Sequence, residues 1–158
     1  MVRVKASAER PRKSRLGSLI KRMRFRKFGA EFDRDLTLLG FHVNKETPCI
    51  WTVELQWHAC QVIEGLSVFI HFVNTNGDIR FQADYPLEDE VPDVLGFFYS
   101  RRRVDVPTDA EPGSYRVRLG VWRPSEKRHL ELRRFHGCHQ ETSGWARNAV
   151  LLDAQVVE

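Results

Sequence analysis

The sequence predicts an all-β chain: a single antiparallel β-sandwich, immunoglobulin-like or jelly-roll-like, with seven or eight strands behind a basic N-terminal tail. Three observations lead to this fold class. Apolar and polar residues alternate with a period of two, turn signals recur at regular spacing, and no helical periodicity lies between them. The chain of 158 residues has the length of one domain, and its hydrophobic content of 42%, with 10 Phe and 4 Trp, can fill a core.

Residues 51–58 give the clearest strand. Four apolar residues alternate there with four polar ones, which is typical of a strand with one buried face: Trp51, Val53, Leu55 and Trp57 against Thr52, Glu54, Gln56 and His58. Residues 79–84 and 115–121 alternate in the same way. The pattern therefore predicts three half-buried strands.

The remaining strands are predicted from apolar runs and turn residues. Residues 66–73 and 150–157 are apolar on both faces, as expected of central or doubly covered strands. Further strands are predicted at 36–43 and 98–106, and the Asn-Thr-Asn-Gly-Asp run at 74–78 predicts a hairpin turn. Residues 86–97 and 135–145 are predicted as long polar loops, where functional residues often lie.

The charge is unevenly distributed along the chain. Residues 1–27 contain 11 Lys or Arg and one acid, Glu9, whereas residues 28–158 contain 14 Lys or Arg and 20 acids. The sequence therefore divides into a basic tail, residues 1–30, and a mildly acidic domain, residues 31–158. The domain's charge gives no reason to expect nucleic acid as its partner.

The tail carries an amphipathic pattern. Leu16, Leu19, Ile20 and Met23 form one stripe of a helix that is otherwise surrounded by Lys and Arg. One interpretation is a segment that binds an anionic membrane surface, or RNA weakly; the other is a solvated leader without a partner. No apolar run is long enough for a membrane span or a secretory signal, and the three cysteines form no disulfide pattern. We expect a cytoplasmic protein, peripheral at the inner membrane surface if the tail binds lipid.

Several motifs resemble a known group of domains. They are Leu-Thr-Leu-Leu-Gly-Phe at 36–41, Trp-Thr-Val-Glu-Leu-Gln-Trp at 51–57, Ser-Val-Phe-Ile-His-Phe-Val at 67–73, Gln-Ala-Asp-Tyr-Pro at 82–86 and Pro-Gly-Ser-Tyr at 112–115. The series is similar to the β-sandwich accessory modules at the C-termini of bacterial membrane glycosyltransferases and other polysaccharide-handling proteins. More distantly, it resembles the sugar-binding C-terminal domain of O-antigen ABC-transporter ATPases. The resemblance implies a non-catalytic module associated with glycans.

Sugar binding requires an aromatic face and a few polar groups that reach hydroxyls. Trp122 has the outward parity of its strand and is the aromatic candidate. Polar groups on outward positions complete the set, provided that their strands lie in one sheet: Arg116, Arg118, Gln82, Asp84, Glu54 and His58. The alternative interpretation is a solvated sheet face with cross-strand ion pairs.

Other chemistry is weakly indicated. His136, Cys138 and His139 place three metal-binding side chains in four residues, but no second cluster supplies a fourth ligand, so we expect neither a metal nor a cofactor. Glu54 and Asp84 share outward parity, but an open sheet face is a poor cleft for an acid–base pair. His71 is expected to be an interior histidine hydrogen-bonded to a carbonyl or to Asp84.

Two functions follow from the sequence. The first is a non-catalytic, glycan-associated accessory module that binds polysaccharide during cell-surface polysaccharide synthesis or export. The second is a protein–protein interaction or scaffold domain whose basic tail associates with a membrane surface. No catalytic motif is present in the sequence, so we do not expect an enzyme.

Overall fold

The computed structural model of this chain describes residues 29–141 and 148–158. The tail's amphipathic stripe lies outside the described residues, so its membrane interpretation stays a prediction. The first strand begins at Gly29, two residues before the boundary that the sequence suggested between tail and domain. No helix within the described ranges is long and apolar enough to cross a membrane.

The described chain forms a β-sandwich of two antiparallel sheets, which confirms the predicted fold class. The five-stranded sheet contains, in spatial order, β10 (Leu132–His136), β1 (Gly29–Phe32), β2 (Leu36–Thr47), β3 (Ile50–Ala59) and β7 (Phe97–Asp105). The seven-stranded sheet contains, in spatial order, β11 (His139–Gln140), β12 (Val150–Val157), β8 (Gly113–Arg123), β4 (Ser67–Val73) and β5 (Ile79–Gln82). Two short strands complete the second sheet: β6 (Tyr85–Pro86) pairs with β4, and β9 (Arg128–His129) pairs with β8.

The described residues thus contain twelve strands, where the sequence predicted seven or eight. Three of them, β6, β9 and β11, are only two residues long. A strand that short shows no alternation of apolar and polar residues, so the sequence could not predict it. Strand β10 escaped prediction because Leu132 is its only buried residue. Pairing with β1, rather than an apolar pattern of its own, holds β10 in the sheet.

Two of the predicted loops differ from expectation. Residues 86–97 include a short 3₁₀ helix, Leu87–Asp89, whose Leu87 is fully buried, before the chain enters β7. The segment predicted as a loop at 135–145 instead contains the end of β10 and all of β11; its residues 142–145 lie outside the described residues. A second 3₁₀ helix, Pro124–Glu126, joins β8 to β9.

The alternation predicted for residues 51–58 is confirmed. Trp51 and Trp57 of β3 are both buried in the core. The Trp51 ring meets the rings of Phe72 and Phe81 from the facing sheet edge-on, at centroid distances of 5.7 and 5.6 Å. Edge-to-face packing of this kind adds to the free energy of burying the rings, so Trp51 helps to hold the two sheets together.

One buried polar group lies among these apolar side chains. Ser100 of β7 is 1% exposed, and its Oγ accepts a hydrogen bond from Trp57 Nε1 at 3.1 Å. The Tyr85 hydroxyl, from the opposite sheet, lies 2.7 Å from the same Oγ. Burial raises the pKa of Tyr85 to about 12, so the phenol stays protonated at neutral pH. Ser100 therefore joins the two sheets through hydrogen bonds within the core.

We predict that Ser100→Ala destabilises the fold by about 1–3 kcal/mol, because it leaves the Trp57 indole N–H and the Tyr85 hydroxyl buried without this partner. Urea unfolding followed by tryptophan fluorescence measures the change. Ser125→Ala, on the exposed 3₁₀ helix, is the matched control and should leave the free energy of unfolding unchanged within about 0.5 kcal/mol. Equal stability of the two variants would show that the Ser100 contacts contribute nothing.

Candidate functional site

The seven residues predicted to bind a ligand divide between the two outer faces of the sandwich. Glu54 and His58 lie on the outer face of the five-stranded sheet, because they alternate with the buried residues of β3. The other five belong to the seven-stranded sheet or follow its strand β5: Gln82, Asp84, Arg116, Arg118 and Trp122. The core separates the two groups, so the condition that their strands lie in one sheet is not met and the seven side chains do not form one site.

The outer face of the seven-stranded sheet is buried at its centre. Phe69, His71 and Val73 alternate with the core residues of β4, yet they are only 4%, 7% and 1% exposed. His71 is thus an interior histidine, as predicted, and its Nε2 lies 3.5 Å from the Asp84 carboxylate. The centre of this face is therefore closed to a ligand.

Arg118 lies in the same closed region. The sequence correctly predicted that the Arg118 side chain lies on the outer side of its strand. The residue is nevertheless only 6% exposed, and its guanidinium contacts the Glu141 carboxylate at 3.0 Å. Glu141 follows β11, and its backbone N–H donates to the Ala149 carbonyl oxygen, so the edge of the sheet brings the carboxylate to Arg118. Arg118 thus belongs to a buried ion pair and is not a surface group for a ligand.

Trp122 lies at the end of this face and is half-buried. Its ring centroid is 6.2 Å from that of His129, which also meets the Phe69 ring edge-on at 5.4 Å. Gly120 makes this packing possible, since a Cβ there would lie 2.3 Å from a Phe69 ring carbon. Burial, and then the charge of His71, lower the pKa of His129. Trp122 therefore packs beside a histidine. Arg116 is exposed at the opposite end of β8, where it pairs with Val73, and Gln82 is exposed opposite His71.

We predict that Glu141→Gln lowers the free energy of unfolding by about 3–5 kcal/mol, because it removes the carboxylate that neutralises a buried guanidinium. Glu131→Gln is the control, since the Glu131–Arg133 pair is exposed and pairs of that kind contribute little. Urea unfolding of both variants at neutral pH makes the comparison. Equal losses in the two variants would contradict the structural role of the buried pair.

The outer face of the five-stranded sheet is different, because it carries polar side chains that reach solvent. Tyr99 of β7 lies opposite Gln56 of β3, and Arg101 lies opposite Glu54, which in turn lies opposite His42 of β2. Tyr99, Gln56, Glu54 and His42 are half-buried, and Arg101 is exposed. We call these five side chains the open face.

Ion pairs and hydrogen bonds order the open face. Arg101 contacts Glu46 at 3.0 Å through Nη2 and Glu54 at 3.7 Å through Nε. Thr52 Oγ1 donates to Glu46 Oε1 at 2.6 Å, and this hydrogen bond, together with Arg101, lowers the pKa of Glu46. Burial, and then a hydrogen bond with Glu54 and its charge, raise the pKa of Tyr99. At neutral pH Arg101 and Tyr99 thus offer a guanidinium and a protonated phenol beside the charged carboxylate of Glu46.

Tyr99 and Arg101 were not predicted from the sequence. The signal was present, because Val104 and Val106 have inward parity and an unbroken strand then places residues 99, 101 and 103 outward. Glu54 and His58 are the predicted ligand-binding residues that lie on this outer face, with Gln56 between them along β3. His58 lies at one end of the face, where its ring packs against Phe97 at a centroid distance of 4.7 Å.

The weak metal candidate divides between the sheets. His136 ends β10 in the five-stranded sheet, whereas His139 begins β11 in the seven-stranded sheet. Cys138 is half-buried against the core, and burial raises the pKa of its thiol. Within residues 29–141 and 148–158, no group of three His, Cys, Asp or Glu side chains is arranged to hold a metal ion.

Comparison of this chain with protein-family models, with curated proteins and with solved structures found no match. The resemblance to glycan-associated β-sandwich modules therefore stays a prediction from the sequence motifs.

Proposed function

We propose that this chain is a non-catalytic glycan-associated accessory module that binds polysaccharide on the open face, within cell-surface polysaccharide synthesis or export. The main support for this proposal is the open face itself, where Tyr99 lies among four polar side chains on a sheet face that solvent can reach. The sequence motifs support the same class of partner. This site replaces the one predicted around Trp122.

The chemistry of the open face suits a sugar. A phenol ring offers an apolar surface to the C–H side of a pyranose, and its hydroxyl donates a hydrogen bond. Carboxylate and amide oxygens accept from sugar hydroxyls, and a guanidinium donates to hydroxyl or carboxylate oxygens. Arg101, which is 58% exposed in its side chain, can donate to sugar oxygens while it holds the two carboxylates in place.

The same contacts favour binding over hydrolysis. Glu46 and Glu54, the two carboxylates beside Arg101, are both within 4 Å of its guanidinium. A hydrolase needs one carboxylic acid that stays protonated and one carboxylate that is ionised, across a cleft. Arg101 instead stabilises the charged form of Glu46, so this carboxylate serves as a hydrogen-bond acceptor.

We predict that isothermal titration against neutral and acidic bacterial polysaccharides detects binding, and that Tyr99→Ala and Arg101→Ala each weaken it about tenfold, a loss of about 1.4 kcal/mol. Trp122→Ala, on the opposite face, is the matched control and should leave the dissociation constant unchanged. Circular dichroism checks that each variant folds. Absence of binding across the panel, or loss through Trp122→Ala alone, would overturn the proposal.

A second candidate function rests on the loops at one end of the sandwich. Val62, Val91, Val94 and Leu95 are 74%, 85%, 101% and 69% exposed there. Val62 also lines an open groove of about 400 Å³, together with Gln61, Ile63, Glu64, Glu88 and Pro92. Exposed apolar side chains with acids around them suit a protein partner that carries a basic, apolar surface.

This scaffold function would combine the loop end with the basic tail. In that case the tail would hold the domain at the cytoplasmic side of an anionic membrane while the loops bind the partner. The charge of residues 1–27 and the exposure of the four loop residues support it.

We predict that Val91→Ser with Val94→Ser removes a basic protein partner that the wild-type chain retains in a pull-down at low salt. The partner should also be lost at high salt, because its attraction to the acidic loops is screened. Val156→Ser, an exposed apolar residue on β12, is the control. A partner retained equally by all three proteins would exclude the loop end as its binding surface.

A further inference from the structure

Cys60 and His58 form a close pair at the end of β3. The Cys60 Sγ lies 3.6 Å from His58 Nδ1, and Cys60 is exposed. A thiol within hydrogen-bond reach of an imidazole is the first element of an activated nucleophile. The second element is a group that orients the imidazole.

The Leu95 carbonyl supplies that second element. His58 Nε2 lies 3.0 Å from the Leu95 carbonyl oxygen. A carbonyl oxygen only accepts, so a neutral His58 carries its proton on Nε2 and donates it there. The lone pair of Nδ1 is then directed to the Cys60 thiol, where it can accept the proton.

The turn at residues 93–97 is built to hold this carbonyl in place. The Asp93 carboxylate accepts hydrogen bonds from the backbone N–H groups of Leu95 and Phe97, both at 2.9 Å. The Gly96 carbonyl accepts from Ala59 N at 2.8 Å, which ties the turn to the end of β3. Gly96 has φ +86°, and a Cβ there would lie 2.3 Å from the Ala59 oxygen and 3.2 Å from His58 Nε2. Only glycine allows this approach.

We propose that Cys60 is a reactive thiol, activated by His58, that exchanges with small disulfides and becomes modified as a mixed disulfide. In the step, His58 Nδ1 takes the thiol proton and the Cys60 sulfur attacks one sulfur of the disulfide. A new S–S bond forms as the old one breaks, and the leaving thiolate recovers the proton from His58. The small disulfide is the co-reactant, so the exchange balances without another oxidant.

The other two cysteines provide internal controls. Cys49 is exposed in the turn between β2 and β3, and the described part of the chain shows no imidazole in contact with its sulfur. Cys138 is half-buried, and burial raises the pKa of its thiol, which lowers the fraction of reactive thiolate. Within residues 29–141 and 148–158, Cys60 is the one cysteine that combines exposure with a base oriented by a neighbouring carbonyl.

The test is the rate at which each cysteine of the full chain forms a mixed disulfide with oxidised glutathione at pH 7. Samples are quenched in acid at intervals, and each site is quantified by peptide mass spectrometry. We expect Cys60 to react at least about tenfold faster than Cys49, since a positioned base typically gives more than that. Cys138 should be the slowest of the three.

Two variants then assign the effect to His58. His58→Gln should bring the Cys60 rate down to that of Cys49, whereas His136→Gln, at an exposed histidine remote in sequence, should leave it unchanged. Equal rates for Cys60 and Cys49 in the wild-type chain would overturn the proposal, and that comparison needs no variant to fold. A Cys60 rate that His58→Gln does not change would overturn it as well.

Discussion

The hydrogen bonds at Ser100 set the arrangement on which both sides of the five-stranded sheet depend. Trp57 and Tyr85 reach the Ser100 hydroxyl from opposite sheets, so β7 must place this residue in the core. Successive side chains of a strand point to opposite faces, and a shift of one residue would turn the whole strand over. The register that buries Ser100 therefore directs Tyr99 and Arg101 outward, where they form the open face.

The two outer faces of the sandwich are suited to different roles. Phe69, His71 and Arg118 are buried on the seven-stranded sheet, and a charged pair buried there favours a defined arrangement over ligand exchange. On the five-stranded sheet, Arg101 and Glu46 meet while more than a third of each side chain stays exposed. Groups that are ordered and still reach solvent are what a binding surface needs, and this contrast directs the proposed glycan site to the open face.

The sequence predicted the local pattern well and the long-range pairing poorly. Alternation in β3 assigned Trp51 and Trp57 to the core, because burial on one face is a property of a single strand. It could not tell that Glu54 and Asp84 lie on opposite sides of the sandwich, since that depends on which strands pair. The alternation in β8 likewise placed Arg118 on the outer face of its sheet, but it could not show that this outer face is itself buried at its centre. Tyr99 lies within the strand predicted at 98–106, but its outward position follows only from Val104 and Val106 at the other end of that strand.

The register at Ser100 leaves the face with Tyr99 open, while the opposite outer face of the sandwich is buried at its centre. Hydroxyl-radical footprinting of the native chain tests it directly, because labelling of a side chain follows its access to solvent. Tyr99 and His42 should be labelled readily, whereas Phe69 and His71 should stay protected until the chain is unfolded in urea. Protection of Tyr99 together with ready labelling of Phe69 in the native chain would contradict it.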